Sequence, residues 1–69
     1  MITVIYGPPG SEKTQNSSFL KGKYAAKRII DEWPYTNIKP KEGDLILTTD
    51  PKSAPPNSKL IHIADALRS

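Results

Sequence analysis

The segment that most constrains the fold is a glycine- and proline-rich loop between a strand-like stretch and a helix-permissive one. Residues Met1–Tyr6 are apolar, β-branched or aromatic, and the Gly-Pro-Pro-Gly of residues 7–10 ends the run. This pattern predicts a short buried strand. The following stretch, from Lys13 to about Ala26, favours a helix with an apolar side, and Gly22 predicts that the helix weakens or ends there. The chain therefore opens with a strand, a loop and a helix.

Three further apolar runs predict strands at Arg28–Asp31, Asp44–Thr49 and Leu60–Ile63, and Ala64–Ser69 is compatible with one or two helical turns. The connections, residues 32–43 and 50–59, contain prolines and show no helical period. Parallel strands usually need a dozen or more connecting residues, so the first connection is long enough and the second is borderline. The pattern predicts a small α/β fold, with a three- or four-stranded, mostly parallel sheet and the loop's helix on one face.

Size and composition exclude several classes of protein. A chain of 69 residues is expected to form a single domain, residues 1–69, with a thin core. It contains no cysteine and one histidine, His62, which excludes a disulfide scaffold, a thiolate nucleophile, a zinc finger and a Cys/His metal site. We expect no membrane partner, because no apolar run approaches about 18 residues. The N-terminus does not resemble a secretory signal, so a cytoplasmic location is expected.

Positive charge is concentrated immediately after the loop. Residues 13–30 contain four lysines and one arginine but no acid, whereas the whole chain has a net charge of +3. A basic segment in this position suits an anionic partner, either a phosphorylated small molecule or a nucleic acid.

Residues 7–14, Gly-Pro-Pro-Gly-Ser-Glu-Lys-Thr, follow most of the phosphate-binding pattern G-x-x-x-x-G-K-[ST]. Gly7, Lys13 and Thr14 match it, and Gly10 adds backbone freedom. In such a loop successive backbone N–H groups surround an anion, and the lysine neutralises phosphate. The threonine hydroxyl is suited to hold a magnesium ion. The pattern therefore predicts a phosphate-binding loop.

On these residues, Ile2–Thr14 resembles the opening strand and Walker A motif of the P-loop NTPase superfamily, and residues 15–31 resemble it loosely. The form G-P-P-G-S-G-K-T is common among AAA-type ATPases and small-molecule kinases. The resemblance implies that the backbone of residues 10–13 forms the phosphate cradle, that Lys13 contacts the β- and γ-phosphates, and that Thr14 binds magnesium. It also implies that the cofactor is ATP or GTP with Mg²⁺. The chain is also similar to short P-loop proteins of phage and prophage type.

Glu12 departs from this pattern because it stands where the motif has its second glycine. Two like charges about 4 Å apart repel by about 1 kcal/mol in water and about 4 kcal/mol at an effective dielectric of 20. Roughly one to three decades of affinity would be lost, since 1.4 kcal/mol is tenfold. The penalty shrinks if Glu12 turns to solvent or pairs with Lys21 or Lys23.

A P-loop site usually has a second acid at a strand end. Asp31-Glu32 follows an apolar pair and resembles a short Walker B motif, and its spacing from Lys13 also suits a substrate-binding acid of shikimate-kinase-like enzymes. An acidic turn that caps the strand is the favoured interpretation. Asp50 is the rival acid, although Asp50-Pro51 is also an ordinary turn opener, which is the interpretation favoured there.

Other polar and aromatic residues have a structural and a functional interpretation. Trp33 and Tyr35 are candidates to stack on a base, but we expect them to cover one face of the sheet. His62 is expected to be a half-exposed strand residue rather than a general base. The basic group is a candidate nucleic-acid surface, but we expect it to be a solvated helix face. That group is Lys21, Lys23, Lys27 and Arg28.

The predicted function is a degenerate P-loop protein that binds nucleotide or phosphate weakly or vestigially, without efficient hydrolysis. A chain of this length leaves no room for a lid or a substrate domain, so we do not expect an enzyme unless partners complete the site. The alternative is a non-catalytic interaction protein that binds a macromolecule through its basic helix and Trp33–Tyr35 surface. The sequence does not decide whether the protein forms a homo-oligomer. The predicted binding residues are Gly7, Gly10, Ser11, Glu12, Lys13, Thr14 and Asp31, with Thr14 as the metal ligand.

Overall fold

A computed structural model describes residues 1–8, 15–33, 35 and 37–68. Within these residues the chain forms four strands, β1 (Thr3–Tyr6), β2 (Arg28–Trp33), β3 (Asp44–Thr48) and β4 (Lys59–His62), two α-helices, α1 (Ser17–Lys23) and α2 (Ile63–Ala66), and a 3₁₀ turn at Pro51–Ser53. All the predicted strands are present, and β2 continues two residues beyond its predicted end. The predicted helix start at Lys13 lies outside the described residues. Helix α1 ends one residue after Gly22, close to the predicted position.

The strands of the described sheet follow the order β2-β3-β1-β4, and every neighbouring pair is parallel. In the register, Ile5 lies between Leu47 of β3 and Ile61 of β4. The prediction of a small α/β fold with a parallel sheet is confirmed in this form. Strand β1 therefore lies inside the sheet, with a parallel neighbour on each side.

Both described helices pack on one face of the sheet, called the helix face below. Leu20 of α1 and Ile63 and Ala66 of α2 are buried against side chains of β1 and β3. The sheet residues in this cluster are Ile5, Leu45 and Leu47. Burial of an aliphatic side chain contributes about 1.5–3 kcal/mol, so this cluster is the main apolar support of the fold.

The opposite face, called the turn face, is covered differently. Its buried residues are Val4, Ile30 and Ile46, and the partly buried Trp33 and Ala54 pack against them. Ala54 belongs to the connection between β3 and β4, whereas α1 belongs to the connection between β1 and β2. The two connections therefore cross opposite faces of the sheet. The short proline-containing connection succeeds because it uses an extended path with one 3₁₀ turn instead of a helix.

Paired charges hold the amino ends of β2 and β3. Asp44 is 4% exposed, and its carboxylate accepts hydrogen bonds from Arg28 Nη2 (2.6 Å), Arg28 Nε (3.2 Å) and the Lys41 N–H (2.7 Å). The hydrogen bonds from Arg28 are the largest cause that lowers the pKa of Asp44, and the same contact raises the pKa of Arg28. Nearby, the Met1 amino group pairs with the exposed Glu42 carboxylate.

Neither of the helices in the described part of the chain has the length and apolar character that crossing a bilayer requires.

Candidate functional site at the carboxyl end of β1

The predicted phosphate loop starts where β1 ends. Gly7 is buried, and its N–H donates a hydrogen bond to the Thr48 carbonyl of β3 (3.3 Å), whereas Pro8 is exposed. Of the predicted loop residues, Gly7 is thus placed at the carboxyl end of the interior strand. The other predicted loop residues lie outside the described residues: Gly10, Ser11, Glu12, Lys13 and Thr14.

The topology makes this end of β1 a favourable place for a ligand. In open parallel sheets, ligands bind outside the carboxyl ends of strands, at the crevice where neighbouring connections leave toward opposite faces. The connection after β1 leads to α1 on the helix face, and the connection after β3 crosses the turn face. Because β1 and β3 are neighbours, the crevice lies between their carboxyl ends.

Thr48, the last residue of β3, forms one wall of this crevice together with the turn that follows it. Thr48 is 3% exposed, and its hydroxyl donates to the Trp33 carbonyl (2.9 Å) and accepts from the Asp50 N–H (3.2 Å). The Asp50 carboxylate accepts from the Lys52 N–H (2.9 Å). The interpretation of Asp50-Pro51 as a turn opener is confirmed. The hydroxyl of Thr48 was missed at the sequence level, although Thr-Thr-Asp directly after an apolar run was the available signal.

Trp33 fixes this turn from the side of β2. Its indole Nε1–H donates to the Ser53 carbonyl (2.7 Å), and its ring packs against the buried cluster of the turn face. The expectation that Trp33 covers the sheet is confirmed. Tyr35 does not share this role, because it is 89% exposed.

The interpretation of Asp31-Glu32 as an acidic turn is wrong. Both residues lie inside β2, which runs on to Trp33 and carries a register irregularity between Ile30 and Trp33. Strand β3 also separates β2 from β1. Asp50 follows β3, the strand directly paired with β1, so Asp50 is the acid that the topology brings near the carboxyl end of β1.

His62 and Tyr6 lie on the other side of this carboxyl edge of the sheet, toward β4. They are register partners at the ends of β4 and β1, and their rings meet edge to face with centroids 5.2 Å apart. His62 is half-buried, as expected for a strand residue. Its Nδ1 also accepts a hydrogen bond from the Ala64 N–H (3.0 Å), so the imidazole caps α2.

The four basic residues predicted as one solvated helix face are dispersed, which corrects that expectation. Lys21 and Lys23 are exposed on α1, but Lys23 Nζ donates to the Ala66 and Arg68 carbonyls (2.7 Å each). Lys27 follows the helix, and Arg28, the first residue of β2, is held by Asp44 of β3. Two of the four cations therefore bind the protein itself.

No group of three or more His, Cys, Asp or Glu side chains within the described ranges is arranged to hold a metal ion.

No protein-family model matches the chain, and no curated protein or solved structure matches it.

Proposed function

We propose that the chain binds the phosphate group of a nucleotide or another phosphate ligand through residues 7–14, weakly and without efficient hydrolysis, as a degenerate P-loop protein. The observation that supports this most is the position of β1. Its carboxyl end lies inside a parallel sheet, beside a crevice formed by connections that cross opposite faces. A phosphate-loop sequence begins at this end, so sequence and topology independently favour the same site.

In this proposal each polar group has a specific role. Lys13 neutralises the phosphates, and the Thr14 hydroxyl holds Mg²⁺ when ATP or GTP is bound. Asp50, rather than Asp31, is the acid on the Mg²⁺ side of the site, because it follows the strand paired with β1. The Thr48 hydroxyl keeps the Asp50 backbone in place.

Glu12 sets the strength of binding in this account. Its carboxylate repels the phosphates, and a residue with a Cβ replaces the motif's second glycine. Loss of roughly one to three decades of affinity follows from the charge. Of the two arginines in the chain, Arg28 is held by Asp44, so it is not available to stabilise charge during phosphoryl transfer. Binding without efficient turnover is the function that fits.

The alternative function, a macromolecular interaction through a basic helix and the Trp33–Tyr35 surface, has less support. The Trp33 indole is engaged by Ser53 and by the sheet. Two of the four basic side chains, Lys23 and Arg28, bind acceptors of the protein itself. Tyr35 alone of this aromatic pair is free to offer most of its ring to a partner.

Calorimetric titration with Mg·ATP at low salt tests the proposal. Lys13→Ala should abolish measurable binding, whereas Lys39→Ala, which removes an exposed lysine from the connection between β2 and β3, should not change the affinity. Glu12→Gly should bind at least about tenfold more tightly. Glu12→Gln, which removes only the charge, separates repulsion from backbone crowding. Equal affinities for the wild type and Lys13→Ala would overturn the proposal.

A further inference from the structure

A corner of the turn face beside the candidate site carries two aromatic rings and an exposed aliphatic side chain. Tyr6 pairs with His62 and Val4 pairs with Leu60 in the parallel register of β1 and β4. Side chains two residues apart share a face of a strand, so Tyr6, Leu60 and His62 lie on the same face as the buried Val4. We call these three residues the aromatic corner.

Among the described residues, the connection after β3 does not pack over the aromatic corner. The connection after β3 starts at the carboxyl end of the sheet, packs Ala54 against the middle of the turn face, and enters β4 at its amino end, where the Lys59 N–H donates to the Ile2 carbonyl. This diagonal path protects the β2 and β3 side of the face. Leu60, on the other side, is 49% exposed.

The rings of the aromatic corner are already fixed in orientation. The imidazole of His62 is held by the hydrogen bond that its Nδ1 accepts from Ala64, and its plane is inclined at 85° to that of Tyr6. Since Nδ1 accepts, the proton of the neutral ring is on Nε2, which is then a donor. Fixed rings lose little conformational entropy when a ligand binds, so such a surface binds a planar group efficiently.

We propose that the aromatic corner binds the planar base of a nucleotide whose phosphates are held by residues 7–14. This inference rests on the proposed function and narrows its ligand from any phosphate compound to a nucleotide. Tyr6 immediately precedes Gly7, so the rings adjoin the start of the loop. Bases stack on aromatic side chains with little preference for one base over another. The Nε2–H of His62 adds a donor for a base or ribose oxygen.

The test compares Mg·ATP and Mg·GTP with inorganic tripolyphosphate, which offers similar phosphates without a base. In the wild type, both nucleotides should bind about tenfold or more tightly than tripolyphosphate. Tyr6→Leu should lower nucleotide affinity about tenfold and leave tripolyphosphate affinity unchanged. Tyr6→Phe keeps the ring and should retain nucleotide binding. Tyr35→Leu removes an exposed tyrosine elsewhere and serves as the matched control.

The outcomes separate this inference from the proposed function. If tripolyphosphate and nucleotides bind wild-type protein equally, the base platform is overturned while phosphate binding stands. If Tyr6→Leu weakens both ligands equally, Tyr6 has a structural role and the platform is also overturned. Leu60→Ser tests the same surface without changing either aromatic residue. It should lower the affinity for the nucleotides and leave the affinity for tripolyphosphate unchanged. Absence of binding by all three ligands overturns the proposed function and the platform together.

Discussion

The two ends of the parallel sheet are built from different chemistry. At the amino end, charged groups are paired: Asp44 is bonded to Arg28 and to the backbone of Lys41. At the carboxyl end of β1 and β3, the contacts of the described residues include an uncharged group in a central position: the Thr48 hydroxyl, bonded to the Trp33 carbonyl and the Asp50 N–H. The amino end uses its charges to hold strands together, whereas the carboxyl end holds a turn and two rings around the start of a phosphate-loop sequence.

Because of this difference, effects on stability and effects on ligand binding should be separable by position in the sheet. Substitutions at the amino end should lower the free energy of unfolding but leave ligand affinity unchanged in folded protein. Substitutions at the carboxyl end should change both quantities. Because a chain of this size has only a few kcal/mol of net stability, each effect is measurable by denaturant titration.

The largest stability effect is expected at the amino end, for Asp44→Ala. Removal of a hydrogen-bonded, buried carboxylate should lower the free energy of unfolding by about 2 kcal/mol at neutral pH. Urea titration measures this loss, and Asp65→Ala, which removes an exposed carboxylate, is the control. We expect the folded variant to bind Mg·ATP with unchanged affinity. A large loss of affinity would contradict the separation of stability from ligand binding at the amino end of the sheet.

The Arg28–Asp44 pair should make the free energy of unfolding depend on pH in a defined direction. The pKa of Asp44 is lowered in the folded protein, chiefly by the hydrogen bonds from Arg28. The contribution of Asp44 to the free energy of unfolding is therefore complete above the unfolded carboxyl pKa of about 4. It is lost as the pH falls through the lower folded pKa. The stability difference between wild type and Asp44→Asn should accordingly shrink on acidification below about pH 4 in urea titrations. A difference that grows on acidification would contradict this role of Asp44.

At the carboxyl end, Thr48→Val should cost about 1–2 kcal/mol in urea titrations, because it leaves the Trp33 carbonyl and the Asp50 N–H without their shared partner. The matched control is Thr49→Val, at an exposed position next in the chain, which should change stability by less than about 0.5 kcal/mol. Thr48→Val should also weaken Mg·ATP binding by displacing Asp50. Full affinity in that variant would show that the turn does not support the site.

Trp33→Phe should have a smaller effect, about 1 kcal/mol, since it keeps most of the ring packing but removes the indole donor to Ser53. Trp33 is the single tryptophan of the chain, so its fluorescence in the wild type reports directly on the turn. We expect Mg·ATP to change this fluorescence and inorganic phosphate to change it less. A signal insensitive to every phosphate ligand would argue that the turn is remote from the bound molecule.

The smallest effect is expected near the start of β2. Ala25 has a φ of 52°, in the left-handed region that glycine adopts more easily. Ala25→Gly should raise the midpoint of urea unfolding slightly, by the equivalent of about 0.5 kcal/mol, after the greater entropy of the unfolded glycine chain is deducted. Gly43→Ala should do the opposite, because its φ is 91° and an added Cβ would lie 3.1 Å from Lys27 Cδ. Neither change should affect ligand affinity.

The sequence predicted the individual strands better than it predicted which strands and side chains lie next to one another. Apolar β-branched runs such as Leu45–Leu47 identify strands because burial and local preference agree. The continuation of β2 beyond Asp31 to Trp33 was not predictable in this way, since charged residues such as Glu32 are depleted in strands. The place of β2 in the sheet depends on the strand order, which the local pattern does not determine. The choice of Asp50 over Asp31 likewise depends on strand order, and the bond from Trp33 to Ser53 depends on a contact twenty residues apart. The residues predicted to form the rest of the cradle, from Gly10 to Thr14, stay predictions.

Backbone amide shifts during titration with Mg·ATP give the most direct test that a phosphate ligand binds at the carboxyl end of β1. We expect the largest shifts in residues 7–14 and at Asp50, saturating with a single affinity that Lys13→Ala abolishes. The amides of Arg28 and Asp44, at the opposite end of the sheet, should not move. Shifts confined to that amino end, or no shifts up to millimolar nucleotide in both the wild type and Glu12→Gly, would contradict the account.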